Sequence, residues 1–220
     1  MINIAIDGPG GSGKGVVSDR LAKLLNVCHL DTGAIYRAIG LYCYQNNIDP
    51  TSEKEVGEAL DKMNITIDFV NGEQYTNLNG VCVNSMIRTS TISDYSSRSS
   101  ALKIVRDKVK HLQQDFAKNN NVIMEGRDIT TEILPNAKYK FFLTASPEVR
   151  AHRRLKDLLA KGENITFEEV LKNINERDYR DSHREFGKLQ LAKDAILINS
   201  DNYTIDEVVA IMYSKINERV

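Results

Sequence analysis

The run Ile2-Asn3-Ile4-Ala5-Ile6 is apolar and rich in β-branched residues, and it ends at Asp7-Gly8. It reads as a buried first strand. Past a glycine-rich loop, Val17, Leu21, Leu24 and Leu25 recur at i, i+4, i+7 and i+8, one face of a helix. A second apolar stretch ends at His29-Leu30-Asp31, and a helix is predicted from about Ala34 to Gln45. Pro50-Thr51-Ser52 breaks the pattern. Ser52 and Glu55 have capping-box spacing, and Val56, Ala59, Leu60 and Met63 mark a short helix. The period then drops to two across Ile65–Phe69. Asn71-Gly72 and Asn79-Gly80 are strong hairpin turns, with short strands predicted at Tyr75–Leu78 and Val81–Val83. Leu102, Val105, Val109, Leu112 and Phe116 form one long helical stripe. Strands at Val122–Glu125, Lys140–Leu143 and Ala195–Ile198 alternate with helices opened by Ser146-Pro147, Thr166 with Glu169, and Thr204 with Glu207. This alternation predicts an α/β fold, a parallel sheet with helices on both faces, carrying a small antiparallel β insertion.

Composition narrows the function classes. The chain has 220 residues, 41% hydrophobic, enough for one α/β domain. A formal net charge of −1 provides no global basic field for nucleic acid or membrane binding. Any anion site must be built from local arginines. The 3 cysteines, Cys28, Cys43 and Cys82, are odd in number and widely spaced, which argues against a disulfide framework or zinc site. No apolar run approaches the ~18 residues of a membrane span. The glycine loop starts too near the first residue to leave room for a signal peptide. These features lead us to expect a soluble cytoplasmic protein; separately, a monomer is expected.

The loop "GPGGSGKGVV", Gly8 to Val17, lies between a strand and a helix N-terminus, the context of a phosphate-binding loop. Its amides and the helix dipole favour anions, and Lys14 supplies a point charge for β- and γ-phosphates. The usual pattern ends in a serine or threonine whose hydroxyl reaches Mg²⁺. Here Gly15 and Val16 follow the lysine. Further along, Arg177, Asp181 and Arg184 have the spacing of one helix face. Arg180 and Arg184 repel at i, i+4, and Arg150, Arg153 and Arg154 crowd another helix, as expected if a polyphosphate bridges them. Arg127-Asp128 follows a predicted core strand, the end at which open α/β sheets place ligands.

Four collinear motifs point to a family. "GPGGSGKG" is similar to the loop of nucleoside monophosphate kinases, in which glycine after the lysine is ordinary. "LDTGAIYR" (Leu30–Arg37), "EGRDI" (Glu125–Ile129) and "ERDYRDSHRE" (Glu176–Glu185) resemble signatures of bacterial cytidylate kinases, and the β insertion fits that group. The resemblance covers essentially the whole chain as a single P-loop kinase domain. It implies a core of residues 1–33, 84–149 and 185–220, a nucleoside-monophosphate-binding region 34–83 with the insertion at about 64–84, and a helical lid 150–184.

The implied reaction is phosphoryl transfer from ATP to CMP, and to dCMP, with Mg²⁺ held through water and the nucleotide phosphates. The resemblance assigns ATP contacts to Gly8, Pro9, Gly10, Gly11, Ser12, Gly13, Lys14, Gly15, Val16 and Arg154. Ser97, Arg106, Asp128 and Arg184 match residues around the base, Arg177 and Asp181 the sugar, and Arg37 and Arg127 the monophosphate. Thr32 replaces a serine often found in the signature, with a hydroxyl able to serve the acceptor. Lys14, Arg127, Arg177, Arg184 and Asp128 carry the chemistry, which is alignment and charge neutralisation without a general base. Three departures stand out: Val16 for threonine, Glu125 for aspartate in DGRD, and Thr130 for glycine in GRDIG. The alternatives are a P-loop kinase acting on UMP, AMP or shikimate, and a regulatory nucleotide-binding module of GTPase type. The latter lacks its N-K-x-D guanine motif here.

Overall fold

The computed structural model describes residues 1–160 and 162–218. Lys161, within the expected lid, and Arg219 and Val220, at the end of the expected core, lie outside the described residues. The elements in chain order are β1 (Asn3–Asp7), α1 (Lys14–Leu25), β2 (Cys28–Asp31), α2 (Thr32–Gln45), α3 (Glu53–Leu60), β3 (Ile65–Val70), β4 (Glu73–Leu78), β5 (Val81–Cys82), α4 (Ser90–Ser99), α5 (Lys103–Asn119), β6 (Val122–Gly126), β7 (Tyr139–Thr144), α6 (Pro147–Ala160), α7 (Phe167–His183), β8 (Ile196–Asn199) and α8 (Ile205–Asn217). One π-helical turn, Ile129–Ile133, follows β6.

The five long-range strands form one parallel sheet in the order β2-β6-β1-β7-β8. Strand alternation decides which face each side chain enters. Ile4 and Ile6 pack with Phe141, Leu143, Val17, Leu21 and Met212 beneath α1 and α8. Ala5 points the other way, into a cluster with Leu30, Met124, Ala117 and Ile129. A third cluster joins α2, α3 and α5 to the insertion, and α6 and α7 share a small core of Ala151, Leu158 and Val170. The insertion is a separate antiparallel sheet β3-β4-β5. Both Asn-Gly turns have two consecutive residues with positive φ (Asn71 54°, Gly72 81°; Asn79 51°, Gly80 82°), the type I′ geometry that suits hairpin twist.

Local expectations met three corrections. At Ser52 the capping box is half formed: Glu55 N donates to Ser52 Oγ, but the Glu55 carboxylate accepts from Asp49 N instead. At Thr166 and Thr204 both reciprocal bonds are present. Helix α4 was not expected, because its serines are indifferent helix formers. It is capped by Thr89 and held by packing on α2, where a Cβ on Gly40 would lie 2.7 Å from Ser96 N. Finally, α7 ends at His183, and Arg184 leaves the helix with an extended ψ of 154°. The carboxyl ends of β1, β2, β6 and β7 share one edge, and the chemistry-bearing residues gather there.

Candidate active site

The loop after β1 is shaped by contacts that allow no side chain. A Cβ on Gly8 would overlap the Leu143 carbonyl. Gly13 caps α1 with φ 93° and offers no side-chain hydrogen bond, so the first-turn amides stay open to an anion. Lys14 is buried, and its Nζ donates to Gly8 O (2.8 Å), Pro9 O (2.9 Å) and Ser12 Oγ (3.5 Å). Burial, with Arg127 nearby, lowers its pKa to about 7. A Cβ on Gly10 would sit 3.4 Å from Arg127 Nη2 and 3.8 Å from Arg177 Nη1, so both guanidinium groups lie against this loop. Burial and then Arg127, with smaller effects from Arg37 and Arg154, lower the Arg177 pKa to about 10. Such crowding of cations is relieved by an anion, which suits this loop to phosphate.

The missing hydroxyl after Lys14 has a steric counterpart. A Cβ at Gly15 would meet Glu125 Oε1 at 3.1 Å, so the carboxylate fills the place beside the helix start. Val16 is half exposed and has only its backbone to offer the loop. Glu125 Oε1 also lies 3.4 Å from His29 Nε2. Burial opposes a charge on His29, but the carboxylate more than offsets it and raises the His29 pKa. No group of three or more His, Cys, Asp or Glu able to hold a metal occurs among the described residues. One carboxylate beside a phosphate loop still suits Mg²⁺, which keeps several waters and takes most other ligands from phosphates.

On the acceptor side the ion pairs cross between elements. Arg127 and Asp128 do not pair with each other. Arg127 Nε donates to Asp181 Oδ2 (2.8 Å), while Asp128 accepts at both oxygens from Arg106 Nη1 (2.9 Å each). Arg106 also donates to Tyr36 Oη (3.1 Å) and Ser100 O (2.7 Å). Arg184 Nη1 reaches Asp181 Oδ1 (3.3 Å) and Ser100 Oγ (3.4 Å), and Arg177 Nε lies 3.9 Å from Asp181. Burial works against the Asp181 charge, yet Arg127, Arg177 and Arg184 bring its pKa down to about 2. Burial and Arg106 lower the Arg184 pKa to about 10. Several buried polar atoms here have no hydrogen-bond partner among the described residues: Ser97 Oγ, Arg37 Nε, Arg177 Nε and Arg184 Nη2. Buried polar groups are ordinarily satisfied, so these orphans fit a polar ligand.

Four residues expected at the anion or acceptor sites have partners within the fold. Arg150 is buried and structural: it donates to Ala145 O, Gly10 O and Asp178, tying the loop to α6 and α7. Arg153 binds Ser200, and Arg180 binds Asp94 of α4. Of that crowded arginine set on α6, Arg154 keeps an influence on Arg177. The Thr32 hydroxyl donates to Glu125 O (2.6 Å), fixing the start of α2 to the end of β6.

Other residues were missed. Asp31 caps α2 through Ala34 N and holds Arg37 (2.7 Å) and Arg88 (3.1 Å). Its N-cap spacing to Ala34 was visible in the sequence. Tyr36 lies within LDTGAIYR and Asp178 within ERDYRDSHRE, but their partners were not visible there, and Ser100 lies outside the four motifs.

A family model described as cytidylate kinase matches residues 4–218. The chain belongs to the cytidylate kinase family. Curated cytidylate kinases include one from Caldicellulosiruptor bescii, 46% identical over 94% of this chain and 92% of its own. One from Clostridium botulinum (strain Langeland) is 45% identical over 94% of both, and one from Thermosipho melanesiensis 45% over 98% and 97%. Among solved structures, an uncharacterized protein from Eubacterium ventriosum has a TM-score of 0.55 at 14% identity, covering 99% of both chains. A shikimate kinase from Bacteroides thetaiotaomicron has 0.51 at 13%, covering 98% of both, a likeness of fold alone.

Within the cytidylate kinase frame, the Thr130 departure gains a physical partner. Asp7, fully buried at the end of β1, accepts from Ile129 N (2.9 Å), Thr130 N (2.7 Å) and Thr130 Oγ1 (2.6 Å). Burial raises its pKa to about 6 even against these bonds. The residue at 130 therefore clamps the Arg127-Asp128 loop to the strand that carries the phosphate loop.

Proposed function

We propose that this protein transfers the γ-phosphoryl group of ATP to CMP, giving ADP and CDP, and accepts dCMP as well. The single observation that carries this reading is the convergence of Lys14, Arg127 and Arg177 on the Gly8–Gly13 loop. The family membership supplies the acceptor. The acceptor phosphate is already an anionic nucleophile, so no general base is needed. Catalysis then lies in aligning two phosphates and neutralising the charge that spreads in the transition state. Arg37 and Arg127 hold the monophosphate, Arg177 and Lys14 face the transferring group, and Arg154 approaches from α6. Glu125, beside Gly15, would hold Mg²⁺ through water, and the ion supplies charge neutralisation on the donor phosphates when bound.

Cytosine presents an amino donor beside ring acceptors. The Asp128 carboxylate suits the amino group, and Arg106, Arg184 and the unpartnered Ser97 hydroxyl suit the acceptors. Uracil reverses the pattern at that edge and leaves buried groups unpaired. Asp181 and Arg177 face the sugar. Helices α6 and α7 form the lid that excludes water. The protein works as a cytoplasmic monomer, bound to neither nucleic acid nor membrane. Among the described residues, no helix is long and apolar enough to cross a membrane.

The test is ADP release with ATP and Mg²⁺ against CMP, dCMP, UMP, AMP and no acceptor. The expected result is strong release with CMP and dCMP and little with the others. Release without any acceptor, or with AMP alone, would leave the loop correctly read and the acceptor site wrongly read.

A further inference from the structure

We infer that Gly187, in the segment that follows the lid helix, is a positioning residue for acceptor recognition: its lack of a side chain and its backbone groups seat Arg106 and Arg184 together. This rests on the reading of Arg106, Arg184 and Asp128 as the base pocket.

Three independent contacts meet at this one buried residue. Gly187 O accepts from Arg184 Nε at 2.6 Å. Gly187 N donates to Glu132 Oε1 at 3.1 Å, which ties the segment to the π turn that follows Asp128. A Cβ at this position would lie 2.5 Å from Arg106 Nη1 and 2.7 Å from Arg106 Nε, far inside van der Waals contact. The φ of 61° adds a second reason for glycine, since left-handed backbone is costly for a residue with a Cβ. The segment is further pinned by Leu189 N, which donates to Asp181 O at 2.8 Å.

The consequence concerns direction as much as space. Arg106 Nη1 is the atom that binds both Asp128 oxygens, and Arg106 Nε is held by Ser100 O. A side chain at 187 presses on the end of the Arg106 side chain, displacing that guanidinium from Ser100 and turning it against Asp128. Arg184 would shift with it, because the carbonyl that orients its Nε belongs to the same residue. Lys14 and the phosphate loop make no contact with this segment in any hydrogen bond or ion pair of the described residues. The effect therefore falls first on the acceptor and reaches the donor loop only through Asp181 and Arg127.

The experiment compares Gly187→Ala and Glu132→Ala with wild type, measuring CMP binding by calorimetry and KM for CMP and ATP separately. Gly187→Ala is expected to weaken CMP binding and raise its KM by about tenfold or more, and to lower the CMP-to-UMP preference, with KM for ATP within about twofold. Glu132 is exposed, so its alanine variant folds and loses only the tether. A smaller loss, about threefold in CMP affinity, is expected there. Folded Gly187→Ala with CMP affinity within about twofold of wild type overturns the inference, as does an equal loss for CMP and ATP. Should Gly187→Ala fail to fold, unchanged CMP affinity in Glu132→Ala overturns it. Wild-type protein that binds no CMP overturns the acceptor reading and this inference together, whereas wild-type binding with an unaffected Gly187→Ala overturns this inference alone.

Discussion

Replacing Thr130 by valine removes one hydroxyl from a buried carboxylate and keeps the β-branched shape. Asp7 has no solvent exposure and three donors, the shortest of them Thr130 Oγ1 at 2.6 Å. Burial raises its pKa from an ordinary 3.8 to about 6. Each tenfold change in proton affinity is worth about 1.4 kcal/mol, so ionising Asp7 in the folded protein costs stability of about 3 kcal/mol relative to the unfolded chain. The sign follows from the direction of the shift. The stability contribution is fully present below pH 3.8 and is lost as pH rises through about 6. A hydroxyl bonded to the charged carboxylate is worth about 1.5–3 kcal/mol, and to the neutral acid about 1 kcal/mol. Thr130→Val should therefore cost about 1 kcal/mol at about pH 5 and about 2 kcal/mol at about pH 7.5, and Thr130→Ser should recover most of it. Urea unfolding of the three proteins at both pH values measures this, with the groups common to all three cancelling in the differences. An equal loss at the two pH values, or a serine variant as unstable as the valine, would refute the reasoning.

Three further predictions concern the nucleotide sites. With Lys14 titrating at about 7 in the free protein, ATP binding at about pH 8 should draw in close to one proton as phosphate restores the ammonium; calorimetry in buffers of different ionisation enthalpy reads the uptake, and none should occur with folded Lys14→Met. Arg184→Met should lose turnover by about 100-fold or more while circular dichroism stays native, and near-wild-type turnover would remove Arg184 from the site. Asp128→Asn, which keeps the shape and halves the acceptor capacity facing Arg106, should reduce the CMP-to-UMP ratio of kcat/KM by about 100-fold; an unchanged ratio would mean the base is read elsewhere.

The phosphate loop, the alternation of strands and helices, and the hairpin insertion were all legible in the sequence. Each rests on local physics: Gly8 to Gly15 between a strand and a helix, periods of 2 and 3.6, and Asn-Gly turns. Helix α4 was not legible, because its serines carry little propensity and its stability comes from close packing on Gly40. The arginines were found as a set, but not their partners within the fold. Arg127, Arg150, Arg177 and Arg180 are equivalent in charge, and only their neighbours distinguish them.

The sequence by itself determined the order of elements other than α4, and the kind of ligand, because backbone propensity, side-chain period and local charge are properties of short segments. The tertiary structure alone decided which cation serves which carboxylate. It separated Arg127 from Asp128, turned Arg150 inward to brace the loop, and placed Glu125 against Gly15 and Gly187 against Arg106. Those pairings join residues up to 140 positions apart. Their energies arise only when folding removes water and brings the partners within a few ångströms, a distance dependence that no linear pattern contains.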